Sequence, residues 1–233
     1  MSQLNQTQHS IKRTARIAGF SYIMYTLAGF YITFGPRPGF NELSDASSHL
    51  EFLFRTDLVA ETILYTFVGI SAAAMYALLR TVSPSAAIMG AFCRLIESAM
   101  GATFIILKYA AFAAIVNPDV LSAFSDTERT SLMSLFRHLS STAIFFLLVP
   151  MGVGGAIFFS LFFRSRYIPR WLAAWGVITY VIIACVSVFV LLFPALKEHI
   201  MLFFLPGALF EWIVALWLLF AGVNTHHWAT SQS

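Results

Sequence analysis

Long apolar stretches, separated by short polar segments, follow one another along the whole chain. The period-two alternation that is typical of half-buried strands is absent. Each stretch has at least the roughly 20 residues that a helix needs to cross the hydrocarbon of a bilayer. Backbone groups in lipid must find their hydrogen-bond partners within the segment, so we expect helices. The pattern predicts an all-α, polytopic membrane protein, a bundle of six transmembrane helices at residues 15–34, 52–79, 86–116, 130–163, 169–193 and 200–222.

Turn and cap signals mark the ends of these predicted helices. Ser125 and Glu128 have the spacing of a capping box, in which each residue bonds the backbone of the other, and they open the fourth helix. Proline cannot continue a helix because it lacks a backbone N–H. Proline-containing breaks separate the remaining spans, at Gly35-Pro36, Ser83-Pro84, Asn117-Pro118, Ile168-Pro169 and Phe193-Pro194.

The composition supports a bilayer as the solvent. Hydrophobic residues make up 59% of the 233 residues and charged residues only 11%, whereas a soluble domain carries about 25% charged residues. The basic residues are too dispersed for a nucleic-acid surface. Cys93 and Cys185 lie alone in separate spans, which favours buried thiols over a disulfide. No phosphate loop or dinucleotide fingerprint occurs, so no motif implies a cofactor.

The distribution of Lys and Arg predicts the orientation in the membrane. Six spans place both termini, the second-to-third turn and the fourth-to-fifth turn on one side. That side holds seven basic residues, and the opposite loops hold three. Both termini are therefore expected in the cytoplasm, with the chain in the cytoplasmic (inner) membrane. The predicted division is a tail over 1–14, a six-helix transmembrane domain over 15–223 and a tail over 224–233.

Ionisable residues occur at membrane depth in four of the predicted spans. Asp57 and Glu61 are one turn apart and so share one face of the second helix. Each unpaired charge at mid-bilayer costs at least about 2.5–3.5 kcal/mol. We therefore expect these side chains to meet inside the bundle. The predicted ligand-binding set consists of Asp57, Glu61, Arg94, Glu97, Lys108, His138 and Glu211.

Two proline–glycine features near this polar layer predict irregular helices. Pro206-Gly207 lies just before Glu211 in the sixth span, and Pro150 is followed by the segment 152–155, which contains three glycines. Broken helices at membrane depth occur where the backbone lines a cavity or packs against protein. The glycines of segment 152–155 lie in mid-span, where close helix packing is expected rather than a phosphate loop.

Several blocks of the chain resemble a bacterial membrane family. They are Thr14–Phe20, Leu79–Ser83, Ala91–Leu95, Phe163–Arg170 and Leu209–Trp212. In this order they are similar to an uncharacterised integral membrane family, filed as a domain of unknown function in the four-thousands series. The resemblance extends from about residue 13 to 223. It implies no activity, but it implies that Asp57, Arg94, His138 and Glu211 match the polar positions of the family; the segment after His138 departs from the family pattern.

Three classes of function follow from the polar layer. The leading one is binding or transport of a small amphiphilic or cationic ligand, in a polar pocket among helices two, three, four and six that opens to the outer side. The second is a membrane-embedded enzyme acting on a lipid-soluble substrate by carboxylate and histidine acid–base chemistry, with or without a metal. The third is a structural or assembly role, in which the charges only set helix packing.

The candidate catalytic residues of the enzyme hypothesis are Asp57, Glu61, His138 and Glu211. The same four side chains are the set that could supply N and O ligands to a metal. No HExxH or CxxC pattern supports a metal, and none is expected. The expected partners are the lipid bilayer and a small molecule or lipid.

Overall fold

The computed structural model describes residues 2–36, 48–117, 119, 122–196 and 204–224. Within these residues the chain is helical and contains no strand. The helices are α1 (Ser2–Phe34), α2 (Ser48–Leu79), α3 (Pro84–Val116), α4 (Asp126–Ser165), α5 (Arg170–Leu192) and α6 (Leu205–Leu216), the last continued by a π-helical turn (Trp217–Ala221). The all-α prediction is thereby confirmed.

Five of the described helices are long and apolar enough to cross a membrane, so the chain is a multi-pass membrane protein. The sixth apolar helix, Leu205–Ala221, is shorter than a span. Residues 197–203, which precede it, lie outside the described part, so the sixth span stays a prediction. α1 begins at Ser2, inside the segment 1–14 that was predicted as a tail. Of the predicted tail 224–233, only Asn224 is described.

The helix ends follow the breaks read from the sequence. α3 begins directly after Ser83, whose side chain accepts a hydrogen bond from the Ala86 N–H, and α5 begins directly after Pro169. The capping box of α4 is formed. The Ser125 N–H donates to Glu128 Oε2 at 2.8 Å, and the Glu128 N–H donates to Ser125 Oγ at 3.5 Å. These boundaries are confirmed because local turn chemistry alone determines them.

The helices form a closed ring in chain order. Each helix from α1 to α5 packs against the next, and α6 packs against both α5 and α1. Neighbours run antiparallel: the end of α1 meets the start of α2, where the Tyr31 and Thr56 hydroxyls are 2.8 Å apart. Large apolar side chains cover the outside, including Phe34 and Phe220, which are 67% and 77% exposed. Such a surface suits lipid, and the interior holds an apolar core together with a smaller number of buried polar residues.

α4 is continuous from Asp126 to Ser165, so the expected weakening at Pro150 is not seen. Its glycines instead allow close contact with both neighbouring helices. A Cβ at Gly152 would lie 2.6 Å from the backbone of α5, and a Cβ at Gly154 would lie 2.9 Å from the Gly90 carbonyl oxygen of α3. The prediction of close packing at these glycines is confirmed. Protein on both sides supports the helix around Pro150.

α6 also differs from the sequence-based prediction. Pro206 lies in its first turn, where a missing backbone N–H removes no intrahelical bond. The bend that was predicted just before Glu211 is therefore absent from Leu205–Leu216. The irregularity lies after Glu211 instead, in the π-helical turn Trp217–Ala221.

Candidate functional site

Lys108 forms salt bridges with two carboxylates of the neighbouring helix. Its Nζ on α3 donates to Asp57 Oδ2 and, at 2.8 Å, to Glu61 Oε1, both on α2. The three residues are buried, with 1%, 4% and 7% exposure for Asp57, Glu61 and Lys108. We call these three residues the Lys108 triad. It joins α2 to α3 through side chains that the helix periodicity places on facing surfaces.

Aromatic rings shield the Lys108 triad. Phe54 and Phe112 stack with ring centroids 4.6 Å apart, and Lys108 Nζ is 5.5 Å from the centroid of Phe54. A cation close to a ring face gains from the ring quadrupole. Apolar walls also lower the local dielectric and so strengthen the attraction between the ammonium and the two carboxylates.

A second set of polar residues centres on Arg94. Its Nη1 lies 2.8 Å from Glu97 Oε2 one turn further along α3, and the two residues are 1% and 2% exposed. The guanidinium carbon lies 5.7 Å from the ring centroid of Tyr25 on α1. Arg94 is therefore held between its own helix and α1, deep inside the ring of helices.

Glu211 of α6 belongs to the same set. It accepts a hydrogen bond from the Tyr180 hydroxyl of α5 at 3.0 Å, and it interacts electrostatically with Arg94 and Tyr25. Tyr22 of α1 interacts electrostatically with Arg94 and Glu211. We call this set the Arg94 cluster; its members are Tyr22, Tyr25, Arg94, Glu97, Tyr180 and Glu211.

Tyr65 connects the Lys108 triad to the Arg94 cluster. It interacts electrostatically with Glu61 of the triad and with Glu97 of the cluster. Its ring packs against Gly101 of α3, where a Cβ would lie 2.3 Å from the ring. The two polar sets are thus neighbours along the α2–α3 interface.

Carboxylates outnumber cations in both sets. The Lys108 triad contains two carboxylates and one ammonium, and the Arg94 cluster contains two carboxylates and one guanidinium. If all six groups are ionised, each set has a net charge of −1. Isolated buried charge is costly, so either a proton or a cation has to compensate it.

A few buried polar atoms in or near these sets have no hydrogen-bond partner among the described residues. They are Ser21 Oγ and Thr26 Oγ1 of α1, Asp57 Oδ1 of the Lys108 triad and Arg94 Nη2 of the Arg94 cluster. Arg94 Nη1 and Glu97 Oε2 are ion-pair partners of each other at 2.8 Å. Buried polar atoms in native proteins are almost always hydrogen-bonded to protein, water or ligand. Within the described residues, Arg94 Nη2 is therefore a donor of the Arg94 cluster that is left without a partner.

His138 differs in burial from the residues of the two polar sets, and its predicted place in the ligand-binding set stays a prediction. It is exposed, and it precedes the apolar window Thr142–Ser165 of α4. The physical reason is that α4 has 40 residues, so its first turns extend beyond the segment that can lie in lipid. The four residues that the sequence offered as metal ligands, Asp57, Glu61, His138 and Glu211, are not assembled: in the described part of the chain no three His, Cys, Asp or Glu side chains converge for a metal ion.

Sequence reasoning missed the tyrosines. Tyr22 and Tyr25 on α1 and Tyr180 on α5 bring hydroxyl groups to the Arg94 cluster, although no ionisable residue had pointed to these two helices. A usable signal was present. Tyr22 and Tyr25 are three residues apart and share one helix face in mid-span, where a hydroxyl needs a partner.

The comparisons with known proteins identify a family but no activity. Neither the curated proteins nor the solved structures give a significant match. The family described as "Domain of unknown function (DUF4386)" matches residues 17–222. The match covers most of the 233 residues and confirms the family resemblance seen in the sequence blocks. The chain therefore belongs to the DUF4386 family.

Proposed function

We propose that this membrane protein binds, and moves across or out of the bilayer, a small amphiphile with a cationic head group, and that the Arg94 cluster holds the head. The observation that carries the proposal is the excess of carboxylates over cations in the buried Arg94 cluster, where Arg94 Nη2 also has no hydrogen-bond partner among the described residues. A purely structural cluster gains nothing from leaving donors and acceptors unbonded. A bound polar head would complete them.

The chemistry of the Arg94 cluster favours a cation. Glu97 and Glu211 outnumber the single guanidinium, so an incoming positive charge would neutralise the excess. The rings of Tyr22, Tyr25 and Tyr180 offer π faces and hydroxyls, a combination that suits amine and quaternary ammonium groups. Arg94 Nη2 has no hydrogen-bond partner among the described residues, which leaves one donor for a head group that also carries an acceptor atom. Glu211, which is only half-buried, is the most accessible carboxylate of the cluster.

The Lys108 triad has a different role in this proposal: it clamps α2 to α3. Both of its carboxylates already receive hydrogen bonds from Lys108. Breaking a buried pair by removing one partner is strongly destabilising. The structural hypothesis is therefore assigned to the triad, and the binding hypothesis to the Arg94 cluster.

The proposal includes a six-span topology with both termini in the cytoplasm and the chain in the inner membrane. One contact supports the sixth crossing. α5 runs away from the α4–α5 turn to Leu192, yet the Asn224 N–H donates to the Tyr167 carbonyl oxygen of that same turn at 2.9 Å. The chain thus returns along the bundle between residues 193 and 224.

Binding of decyltrimethylammonium to the protein in lipid nanodiscs tests the proposal, with n-decanol as the uncharged amphiphile. We expect saturable binding of the cation only. Glu211→Gln should weaken it at least about tenfold, because a contact to a charged group contributes about 1.5–3 kcal/mol. Glu51→Gln is the matched control, because Glu51 is a carboxylate at the exposed start of α2, paired with Arg55. It should bind the cation like the wild type.

The outcomes separate the three hypotheses. A folded wild-type protein with no saturable cation binding would refute the proposal. Loss of folding in Glu211→Gln and in Glu97→Gln alike would favour a structural role for the Arg94 cluster. The acid–base enzyme hypothesis is less favoured than binding, because its proposed base, His138, is exposed and precedes the apolar window of α4.

A further inference from the structure

A groove at one end of the bundle lies between the α4–α5 turn and the end of α6. Its volume is about 490 Å³. One wall is the turn 166–170, and the other consists of Trp217 and residues 221–224. It involves none of the residues of the Lys108 triad or the Arg94 cluster.

The wall formed by the α4–α5 turn is anchored to the bundle. Tyr167 and Ile168 are 1% and 2% exposed. The Tyr167 hydroxyl hydrogen-bonds with Thr81 Oγ1 of the α2–α3 turn at 3.1 Å, and its carbonyl accepts from the Asn224 N–H at 2.9 Å. These contacts fix the turn against two other segments, so the groove exists before any ligand arrives.

The opposite wall owes its shape to the irregular end of α6. The π-helical turn Trp217–Ala221 closes with a hydrogen bond from the Gly222 N–H to the Trp217 carbonyl oxygen at 2.9 Å. Gly222 has a φ of 70°, a conformation that favours glycine. The widened last turn and the following reversal of the chain lead residues 222–224 along the groove.

The charge of the groove is positive and has no acidic neighbour along the chain. Arg166 and Arg170 line it, and both are exposed. No Asp or Glu occurs between residues 129 and 197 or after Glu211. α5, a helix of 23 residues, also begins here, and Pro169 supplies no side-chain cap to its first N–H groups. The positive end of the helix dipole adds to the two guanidinium groups.

We propose that this groove binds the phosphate of an anionic phospholipid head group. The apolar span of α4 ends at Ser165 and that of α5 begins at Arg170, which places the groove at the level of the head groups. Arginine pairs with phosphate oxygens in a bidentate geometry. Trp217 and Ala221 give the groove apolar contacts that a lipid can use and a free phosphate ion cannot. Basic pockets between transmembrane helices are established binding sites for anionic head groups.

Native mass spectrometry of the full chain in detergent tests the proposal, with phosphatidylglycerol, phosphatidylcholine and inorganic phosphate added separately. We expect preferential binding of phosphatidylglycerol. The variant Arg166→Asn/Arg170→Gln should weaken that binding about tenfold or more, since each basic group near an anionic lipid contributes a similar part of the binding free energy. Asparagine is chosen at position 166 because Arg166 has a φ of 58°, which Asn tolerates.

The matched control removes two arginines from the same end of the bundle but outside the groove. Arg80→Gln/Arg164→Gln changes two exposed residues that do not line it, and binding should be unchanged. Equal weakening in both double variants would overturn the proposal in favour of diffuse surface charge. Equal binding of phosphatidylcholine, or of inorganic phosphate alone, would also overturn it. If the groove variant does not fold, Arg170→Gln alone must still weaken phosphatidylglycerol binding.

Discussion

Lys108 is the residue on which two buried carboxylates depend. It is the cation that bonds Asp57 and Glu61 in the described structure, and all three side chains are under 10% exposed. In a low-dielectric interior the loss of one partner leaves the others charged and unsolvated. The hydroxyl groups around Arg94 also act as individual residues, because each can turn its O–H toward whichever neighbour is charged.

At the residue scale, we predict that Lys108→Met destabilises the fold by about 3–5 kcal/mol, the cost of breaking a buried pair. Thermal unfolding in detergent measures the effect. Lys108→Arg, which keeps the charge, should lose much less. The triple variant Lys108→Met/Asp57→Asn/Glu61→Gln should recover most of the stability, since it leaves no charge within the Lys108 triad. An unchanged melting temperature for Lys108→Met would mean that the triad does not hold α2 to α3.

A pH dependence follows from the capping box. Hydrogen bonds from the Ser125 hydroxyl and backbone N–H lower the pKa of Glu128 below its ordinary value of 4.5. Folding therefore favours the carboxylate. The cap contribution of Glu128 is present above pH 4.5 and is lost as the pH falls through the pKa of the folded state. In Ser125→Ala the pKa of Glu128 should return toward 4.5, as followed by NMR of carbon-13-labelled glutamates. Equal titration midpoints in both proteins would contradict this assignment.

At the scale of elements, glycines of α4 allow a close approach by both neighbouring helices. Gly152 and Gly155 meet α5, and Gly154 meets α3. Close approach lets backbone and Cα atoms pack directly, which is how helices associate in lipid without a hydrophobic driving force. The continuous course of α4 past Pro150 is consistent with this two-sided support.

We predict opposite effects for two glycine substitutions of the same chemistry. In Gly152→Ala the new Cβ would lie 2.6 Å from the Ala184 nitrogen and the Tyr180 carbonyl oxygen, so the helices must separate. Overpacking of this kind costs about 1–3 kcal/mol. In Gly29→Ala the nearest atom is Leu64 Cδ1 at 3.6 Å, an ordinary contact, and the better helix propensity of alanine should leave stability unchanged or raised. Equal melting temperatures for the two variants would refute the packing argument.

At the scale of the whole molecule, the ring of helices gathers its polar groups inside and leaves apolar side chains outside. The arginine-rich turns lie at one end, where α2 ends, α4 ends and α5 begins. Clusters of this sign are retained on the cytoplasmic side of bacterial membranes. Finding the side of the membrane on which these turns lie therefore tests the proposed topology directly.

Thiol labelling of intact cells tests that topology. In a background of Cys93→Ala and Cys185→Ser, single cysteines are placed at exposed positions: Ser85→Cys and Arg164→Cys at the predicted cytoplasmic end, and Ser122→Cys at the other. A membrane-impermeant maleimide should label Ser122→Cys only, and the other two should react after the cells are opened. Labelling of Arg164→Cys in intact cells would reverse the orientation.

The sequence predicted that ionisable side chains lie together inside the bundle, but not that they form two separate sets. Helix periodicity placed Asp57 and Glu61 on one face, and the cost of charge in lipid required partners, so burial of these residues was predictable. Which cation each carboxylate meets depends on the rotation of each helix about its axis, which side-chain packing decides. Periodicity alone cannot give that rotation, so Lys108 and Arg94 could not be assigned separately.

His138 and the tyrosines show two other limits of sequence reasoning. The boundary of a span is uncertain by several residues, and His138 falls in that margin at the start of α4. Tyrosine carries a much smaller insertion penalty than a charged residue. The presence of Tyr22, Tyr25 and Tyr180 in apolar helices therefore did not indicate a polar site. The burial of Arg94 and Glu97, in contrast, was predictable, because both residues lie ten or more residues into α3.

The central claim is that the Arg94 cluster receives a cationic head group inside the bundle. An X-ray structure with decyltrimethylarsonium, in which arsenic replaces the head nitrogen, tests it most directly through anomalous scattering. We predict an arsenic peak within the ring of helices, beside Glu97 and Glu211 and within reach of the Tyr25 ring. Arsenic found only among the lipid-facing side chains, with the interior empty of it at saturating ligand, would contradict the claim.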